Sequence, residues 1–260
     1  MQTEVHVYAF SVAANILLSF FPFLIVMMSL CRSVLRWQAA VDAIFFALND
    51  YFPGPISDYL GRNLRVVVAG RGKVQVVSIL VLLFTANGVF EPLEVAFNRI
   101  WKCDKNRSYF KNQLVSLGLI FACGGLILLS TVFTALNHQY LQAAKGVGAA
   151  WTAFLSEALY KLAAIPISML MLFLIYWLLP NCPVKPRQIL PAAIAVGLLL
   201  EVVKYFNLLT WPYLRTKLAA EYGPFTYAAT LVFWGFFASM VVLAGAEWAA
   251  RRARSQVPAE

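Results

Sequence analysis

Charge is what this chain has least of. Lys, Arg, Asp and Glu make up 13% of its 260 residues, about half the roughly 25% of a soluble domain. Histidine is nearly absent: only His6 and His138 occur, too far apart for an H-x-H or H-x-x-x-H ligand pair. Metal-dependent hydrolysis draws on clustered His and Asp ligands, so neither a metal site nor a cofactor is expected. Cys31, Cys103, Cys123 and Cys182 share no C-x-x-C spacing. They read as small apolar residues, with neither a zinc signature nor a disulfide framework expected. Gly70-Arg71-Gly72-Lys73 lacks the glycine spacing and the following Ser or Thr of a phosphate-binding loop. With no nucleophile–base pair either, the chain is not expected to be an enzyme.

What is abundant is apolar. Hydrophobic residues reach 61% and the mean hydropathy is +0.72. Val5 to Cys31 runs 27 residues without Lys, Arg, Asp or Glu, and a helix needs roughly 20 residues to cross a bilayer core about 30 Å thick. That run lacks a basic flank and a small-residue cleavage site and exceeds a signal-peptide core, so it reads as a retained span. Six such stretches give an all-α, polytopic membrane protein with one transmembrane domain over 1–260. The expected spans are about 7–30, 74–90, 114–136, 162–179, 189–209 and 224–246. Trp211-Pro212-Tyr213 marks the interfacial end of the fifth, and Tyr222-Gly223-Pro224 a turn before the sixth. Trp151 and Tyr160 read as interface anchors.

Between the first two spans the chain is too polar to cross. Val41, Ile44, Phe45, Leu48 and Phe52 recur at helical spacing, Pro53-Gly54-Pro55 interrupts, and Ile56, Tyr59, Leu60, Asn63 and Val67 resume it. An amphipathic helical hairpin over about 34–69 is expected, capping the bundle or lying in the interface.

The net charge of +9 does not point to nucleic acid, because the bases are dispersed between and after the spans. There they set orientation and meet anionic headgroups. Ten fall on each side of a six-span arrangement, but Arg99, Lys102, Lys105, Arg107 and Lys111, and again Arg251, Arg252 and Arg254, are dense clusters beside span ends. They favour two cytoplasmic termini and are the expected contacts for anionic lipid.

Three groups could carry function. Glu201 and Lys204 lie three residues apart inside the fifth span, so they share a helix face. A mid-membrane charge costs about 2.5–3.5 kcal/mol on insertion scales, which pairing or an inward-facing position lowers. Two readings stand: a polar substrate path, or a buried pair fixing helix register. Asn87, Glu91, Glu94 and Asn98 form a stripe at spacings of four, three and four, followed by Arg99. It lines a vestibule or is a solvated helix end, and Pro92 would kink the helix near Asn87-Gly88. Ser11, Asn15, Ser19 and Pro22 share a face of the first span, as helix-packing residues or as part of the path. Glu247 reads as an interface residue paired with the following arginines.

Ala13-Ala14-Asn15-Ile16-Leu17-Leu18-Ser19-Phe20-Phe21-Pro22, Phe97-Asn98-Arg99-Ile100-Trp101, Tyr176-Trp177-Leu178-Leu179-Pro180 and Gly245-Ala246-Glu247 together resemble the YihY/BrkB family of bacterial inner-membrane proteins. The resemblance runs over nearly the whole chain. It implies six spans, an inner-membrane location and two cytoplasmic termini. It also implies a longer segment before the first span than the six residues present here. The family has carried ribonuclease and virulence or serum-resistance labels, and lipid transport is suggested for some members. The residues support no phosphodiester chemistry. The expectation is a transporter or lipid-translocating protein, whose path uses Glu201, Lys204, Asn15, Asn87, Glu91, Glu94, Asn98 and Arg99. The alternative is a non-catalytic membrane scaffold.

Overall fold

The computed structural model describes residues 2–51, 61–62, 64–66, 73–104, 107–143 and 165–255. Every element among them is helical: α1 (Gln2–Ser29), a π turn (Leu30–Val34), α2 (Gln38–Tyr51), α3 (Lys73–Trp101) and α4 (Tyr109–Ala143). They are followed by α5 (Ile165–Leu178), α6 (Pro186–Tyr222), a 3-10 turn (Gly223–Phe225) and α7 (Thr226–Ser255). Val5–Arg32, Tyr109–Leu129, Pro186–Val203 and Thr226–Ser255 are long and apolar enough to cross a membrane. Val202, Phe206, Leu209, Phe233 and Phe237 stay exposed on α6 and α7. Large apolar side chains displayed in this way suit hydrocarbon, where each helix satisfies its own backbone. Of the second half of the expected hairpin only 61–62 and 64–66 are described, and they are helical; Lys105, Trp151 and Tyr160 lie outside the described residues.

The helices outrun the apolar stretches that announce them. Most clearly, α6 does not stop at Trp211-Pro212-Tyr213 but continues to Tyr222. A proline removes one i→i−4 bond, and the residues beyond it, Leu214 to Glu221, are mostly good helix formers. Thr210 Oγ1 donates to Phe206 O at 2.8 Å and Thr216 Oγ1 to Pro212 O at 2.9 Å, so this stretch also satisfies its hydroxyls locally. The helix ends where Gly223 takes φ 51° and its N–H reaches Ala219 O. Thr226 Oγ1 then donates to Gly223 O at 2.6 Å, fixing the turn expected before the sixth span. At the other end of the chain, Leu35 N–H reaches Leu30 O at 3.0 Å, a π-type bond that widens the helix end.

The fold has two compact units. One comprises 21–82 and 121–167. Within it Val41, Ile44 and Leu48 of α2 are buried, at the expected helical spacing, and the Arg65 guanidinium lies 4.5 Å from the Phe45 ring centre.

The other unit comprises 1–20, 83–120 and 168–260 and holds the candidate site. Its core gathers Ala9 and Val12 of α1, Phe90, Leu93, Ala96 and Phe97 of α3, Leu119 of α4, Leu172 and Tyr176 of α5, Ile189, Ala192, Ala193 and Val196 of α6, and Leu243, Ala246, Ala249 and Ala250 of α7. Small residues set the spacing. Gly245, Ala246, Ala249, Ala250 and Ala253 line a buried stripe of α7, which lets backbones approach closely. Tyr176 Oη donates to Val242 O at 2.8 Å across this contact, and a methyl group on Gly245 would overlap both Val196 and the Tyr176 hydroxyl. Gly245→Leu is therefore expected to destabilise the purified protein by about 1–3 kcal/mol, read as a lower thermal midpoint in detergent. Gly118→Leu, where a Cβ meets open space, is expected to stay within about 0.5 kcal/mol.

Candidate functional site

Where α5 ends, its last carbonyls lose their helical partners. Arg107, from the connection between α3 and α4, supplies donors: Nη1 to Leu178 O at 2.9 Å and Nη2 to Pro180 O at 2.7 Å. A guanidinium at a helix C-terminus also meets the negative end of the helix dipole. The next residue, Asn181, is bonded to α3 twice. Its backbone N–H donates to Asn98 Oδ1 and its side-chain Nδ2 to Glu94 Oε1, both at 2.8 Å. Asn98 and Glu94 are one turn apart, and Asn98 Nδ2 approaches Glu94 Oε1 at 3.5 Å.

Glu94 is 6% exposed, yet only Oε1 is engaged. Glu94 Oε2 and Asn181 Oδ1 are both buried without a hydrogen-bond partner. Two orphan acceptors beside one carboxylate leave the group short of donors. Among the described residues no three His, Cys, Asp or Glu side chains gather as metal ligands.

The same connections carry a disulfide. Cys103 and Cys182 are bonded, with Cα atoms 5.4 Å apart, which corrects their expected role as isolated apolar residues. Their separation of 79 positions hides the pair from any local spacing rule; the fold brings the end of α3 to the end of α5. Cys31 and Cys123 remain unpaired thiols.

A second buried carboxylate lies on α6. Glu201 is 8% exposed and accepts from Ser168 Oγ of α5 at 3.3 Å. Ser168, a partner not evident from the sequence, is a small hydroxyl on an otherwise apolar helix. Asn87 and Lys204 lie in α3 and α6, but their side chains are outside the described residues. The expected acidic stripe divides: Glu94 is buried and Asn98 half-buried, while Glu91 is exposed. Asn15 Nδ2 donates to Ser11 O at 2.9 Å, and its side chain packs on Gly88 of α3 so closely that no Cβ would fit there. That contact is helix packing by a polar face. Arg99 is exposed, its guanidinium 5.7 Å from the Tyr8 ring centre. Glu247 accepts from Arg251 Nε at 2.8 Å and lies 3.9 Å from Arg254, as its sequence position predicts.

Helices this long and apolar, with buried polar groups bonded between them, define a polytopic helical membrane protein. The chain belongs to the family described as virulence factor BrkB, whose profile matches residues 1–260. It is 26% identical to a UPF0761 membrane protein of Chromohalobacter salexigens, over 90% of this chain and 57% of that one. It is 25% identical to a UPF0761 membrane protein of Xanthomonas campestris, over 82% of this chain and 48% of that one. The chain thus spans about half the length of the curated relatives it matches. No solved structure matches it.

Two measurements check this site. Asn181→Leu removes the donor to buried Glu94 and is expected to cost about 1–3 kcal/mol. Adding Glu94→Leu should recover part of that loss, giving a positive coupling in thermal melts of the double-mutant cycle. Thiol titration of the unfolded, unreduced protein should find two thiols, Cys31 and Cys123, and reduction should raise the count to four.

Proposed function

We propose that this chain is a non-enzymatic, six-span inner-membrane protein that moves a polar or amphiphilic substrate, lipid included, along a path within its helices. The observation that carries the reading is Glu201: a carboxylate buried in an apolar helix and bonded to Ser168 of a second helix. Ionisable groups at membrane depth are costly and mark substrate, ion or proton routes. Glu94, buried with an unmet acceptor, adds a second such group nearer the helix ends. In this reading Glu201 receives a cation, proton or amine, and Lys204 an anionic group. Asn87, Glu91, Glu94, Asn98 and Arg99 line the remaining route, and Asn15, packed on Gly88, holds α1 against α3 beside it.

The proposed topology includes the amphipathic hairpin over about 34–69 and places both termini in the cytoplasm. The clusters Arg99–Lys111 and Arg251–Arg254 then meet anionic headgroups of the inner leaflet. It also places Cys103 and Cys182 on the cytoplasmic side, where disulfides of mesophiles are usually transient or redox-active. Their oxidation state in cells therefore bears on the orientation. The scaffold reading draws on a different observation: Asn181, Asn98 and Glu94 bond one another as parts of a fixed frame would.

The test is aqueous access. Glu201→Cys and Lys204→Cys would be made with Cys31 and Cys123 replaced and the Cys103–Cys182 pair kept. A membrane-impermeant thiol reagent applied from either side should label position 201 or 204. Protection of both positions in protein that elutes as a single folded species would favour the scaffold.

A further inference from the structure

Glu94 Oε2 and Asn181 Oδ1 are joined by two more unmet oxygens near the same junction. Asn112 Oδ1 and Ser116 Oγ of α4 are buried atoms without a hydrogen-bond partner, and Ser116 is 1% exposed. Both residues lie on the inward face of their helix. Asn112, Val115, Ser116 and Leu119 recur at helical spacing and are buried or half-buried, whereas Lys111, Leu114, Gly118 and Phe121 are exposed. Leu119 belongs to the core cluster that includes Phe90, Leu93 and Phe97 of α3, and Val115 packs against that cluster.

The four oxygens share a level in the fold. The end of α3 is tied to the α5–α6 turn by the Cys103–Cys182 bond. The start of α4 is tied to the same turn by the bonds of Arg107 to Leu178 O and Pro180 O. Measured inward from that junction, Glu94 stands seven residues before Trp101 and Ser116 seven residues after Tyr109. Both are therefore about 10 Å deep at the helical rise. Asn98 and Asn112 share a shallower level, three residues from the same two ends. Asn181 reaches this layer from the turn, through its bonds to Asn98 and Glu94.

The donor set is one carboxylate, two amide oxygens and a hydroxyl. A buried charge needs a partner, and among the described residues Glu94 has no ion pair. Arg107 gives its bonds to the carbonyls of Leu178, Leu179 and Pro180. A water and the Ser116 hydroxyl could supply donors to these acceptors, but not a charge. Hard oxygens of this kind suit hard cations. A calcium or magnesium ion on a single carboxylate would leave a net positive charge buried, whereas a monovalent ion balances it.

We infer that this layer binds a monovalent alkali cation, with Glu94 Oε2 as the charged ligand and Asn181 Oδ1, Asn112 Oδ1 and Ser116 Oγ as neutral ones. The inference rests on these four oxygens and not on the path around Glu201: the ion is held here whether or not anything is moved.

The test uses the full chain in detergent, with N-methylglucamine chloride setting the ionic strength. Sodium, potassium or calcium chloride replaces part of it. Thermal midpoints are read, and retention of radiolabelled sodium and rubidium (the latter standing in for potassium) is measured by equilibrium dialysis. Sodium or potassium should raise the midpoint saturably, as a ligand of the folded state does. Glu94→Gln keeps the side-chain shape and an acceptor for Asn181 but removes the charge. It should lower alkali-ion affinity about tenfold or more and melt no lower than the wild type in N-methylglucamine. Ser116→Ala should weaken binding about threefold or more. Glu91→Gln removes an exposed acid of the same helix and should change nothing. A midpoint indifferent to sodium and potassium, with neither ion retained, would overturn the proposal. So would calcium acting at lower concentration than either alkali ion. A response that survives Glu94→Gln would belong to Glu201 or to the surface, and would overturn it equally. Should Glu94→Gln not fold, Ser116→Ala decides, and unchanged affinity there is the negative result. Transport is not read, so the reading of Glu201 does not stand or fall with this one.

Discussion

The turn from α5 to α6 hangs on Asn181. In a bilayer no water is at hand for backbone groups released where a helix stops, and each group left unmet costs several kcal/mol. Here the release is met by side chains from elsewhere in the fold: Arg107 takes the carbonyls, and Asn98 takes the Asn181 N–H. Once that turn is fixed to α3, Tyr176 is held against Phe97, with ring centres 5.5 Å apart, and its hydroxyl reaches α7. The buried carboxylate of Glu94, the disulfide and the packing of the unit's core all depend on the same junction.

That junction explains which parts of the fold were legible in the sequence. The helices were, because apolar runs of membrane length have few other uses and α2 carries its own periodicity. Their ends were not, because the readable signal is hydropathy whereas helices stop where capping geometry stops them. Pro212 looks like a terminus and is merely one missing bond; Gly223, with its left-handed backbone, is the actual one. Glu94 and Asn98 announced themselves as polar residues one turn apart. Asn181 did not, since it stands between two prolines in what reads as a plain turn, and its partners are more than eighty positions away. The cysteine pair was hidden for the same reason. One signal was present: Cys103 and Cys182 each sit in a connection that an up-and-down arrangement places on one side of the membrane.

The two buried carboxylates differ in kind. Glu94 sits in a ring of amides that fixes its position through one oxygen and leaves the other unmet, an imbalance no packing argument accounts for. Glu201 sits between apolar helices, beside a hydroxyl that could as easily have been an alanine. An ionisable group at membrane depth is costly, whereas the buried stripe of α7 packs with small residues. The polar groups on α1 are different again: Asn15 fills the space that Gly88 vacates, and shape accounts for its presence.

The bond between Cys103 and Cys182 also changes the chain's connectivity. All of α4 and α5 lie between these cysteines, so the polypeptide from one to the other is a closed ring rather than an open thread. A single backbone cut anywhere in that ring leaves one covalent molecule, whose two pieces still share the junction at Asn181 and separate only when the sulfurs are reduced. In this protein an intact band on an unreduced gel is therefore no proof of an intact backbone.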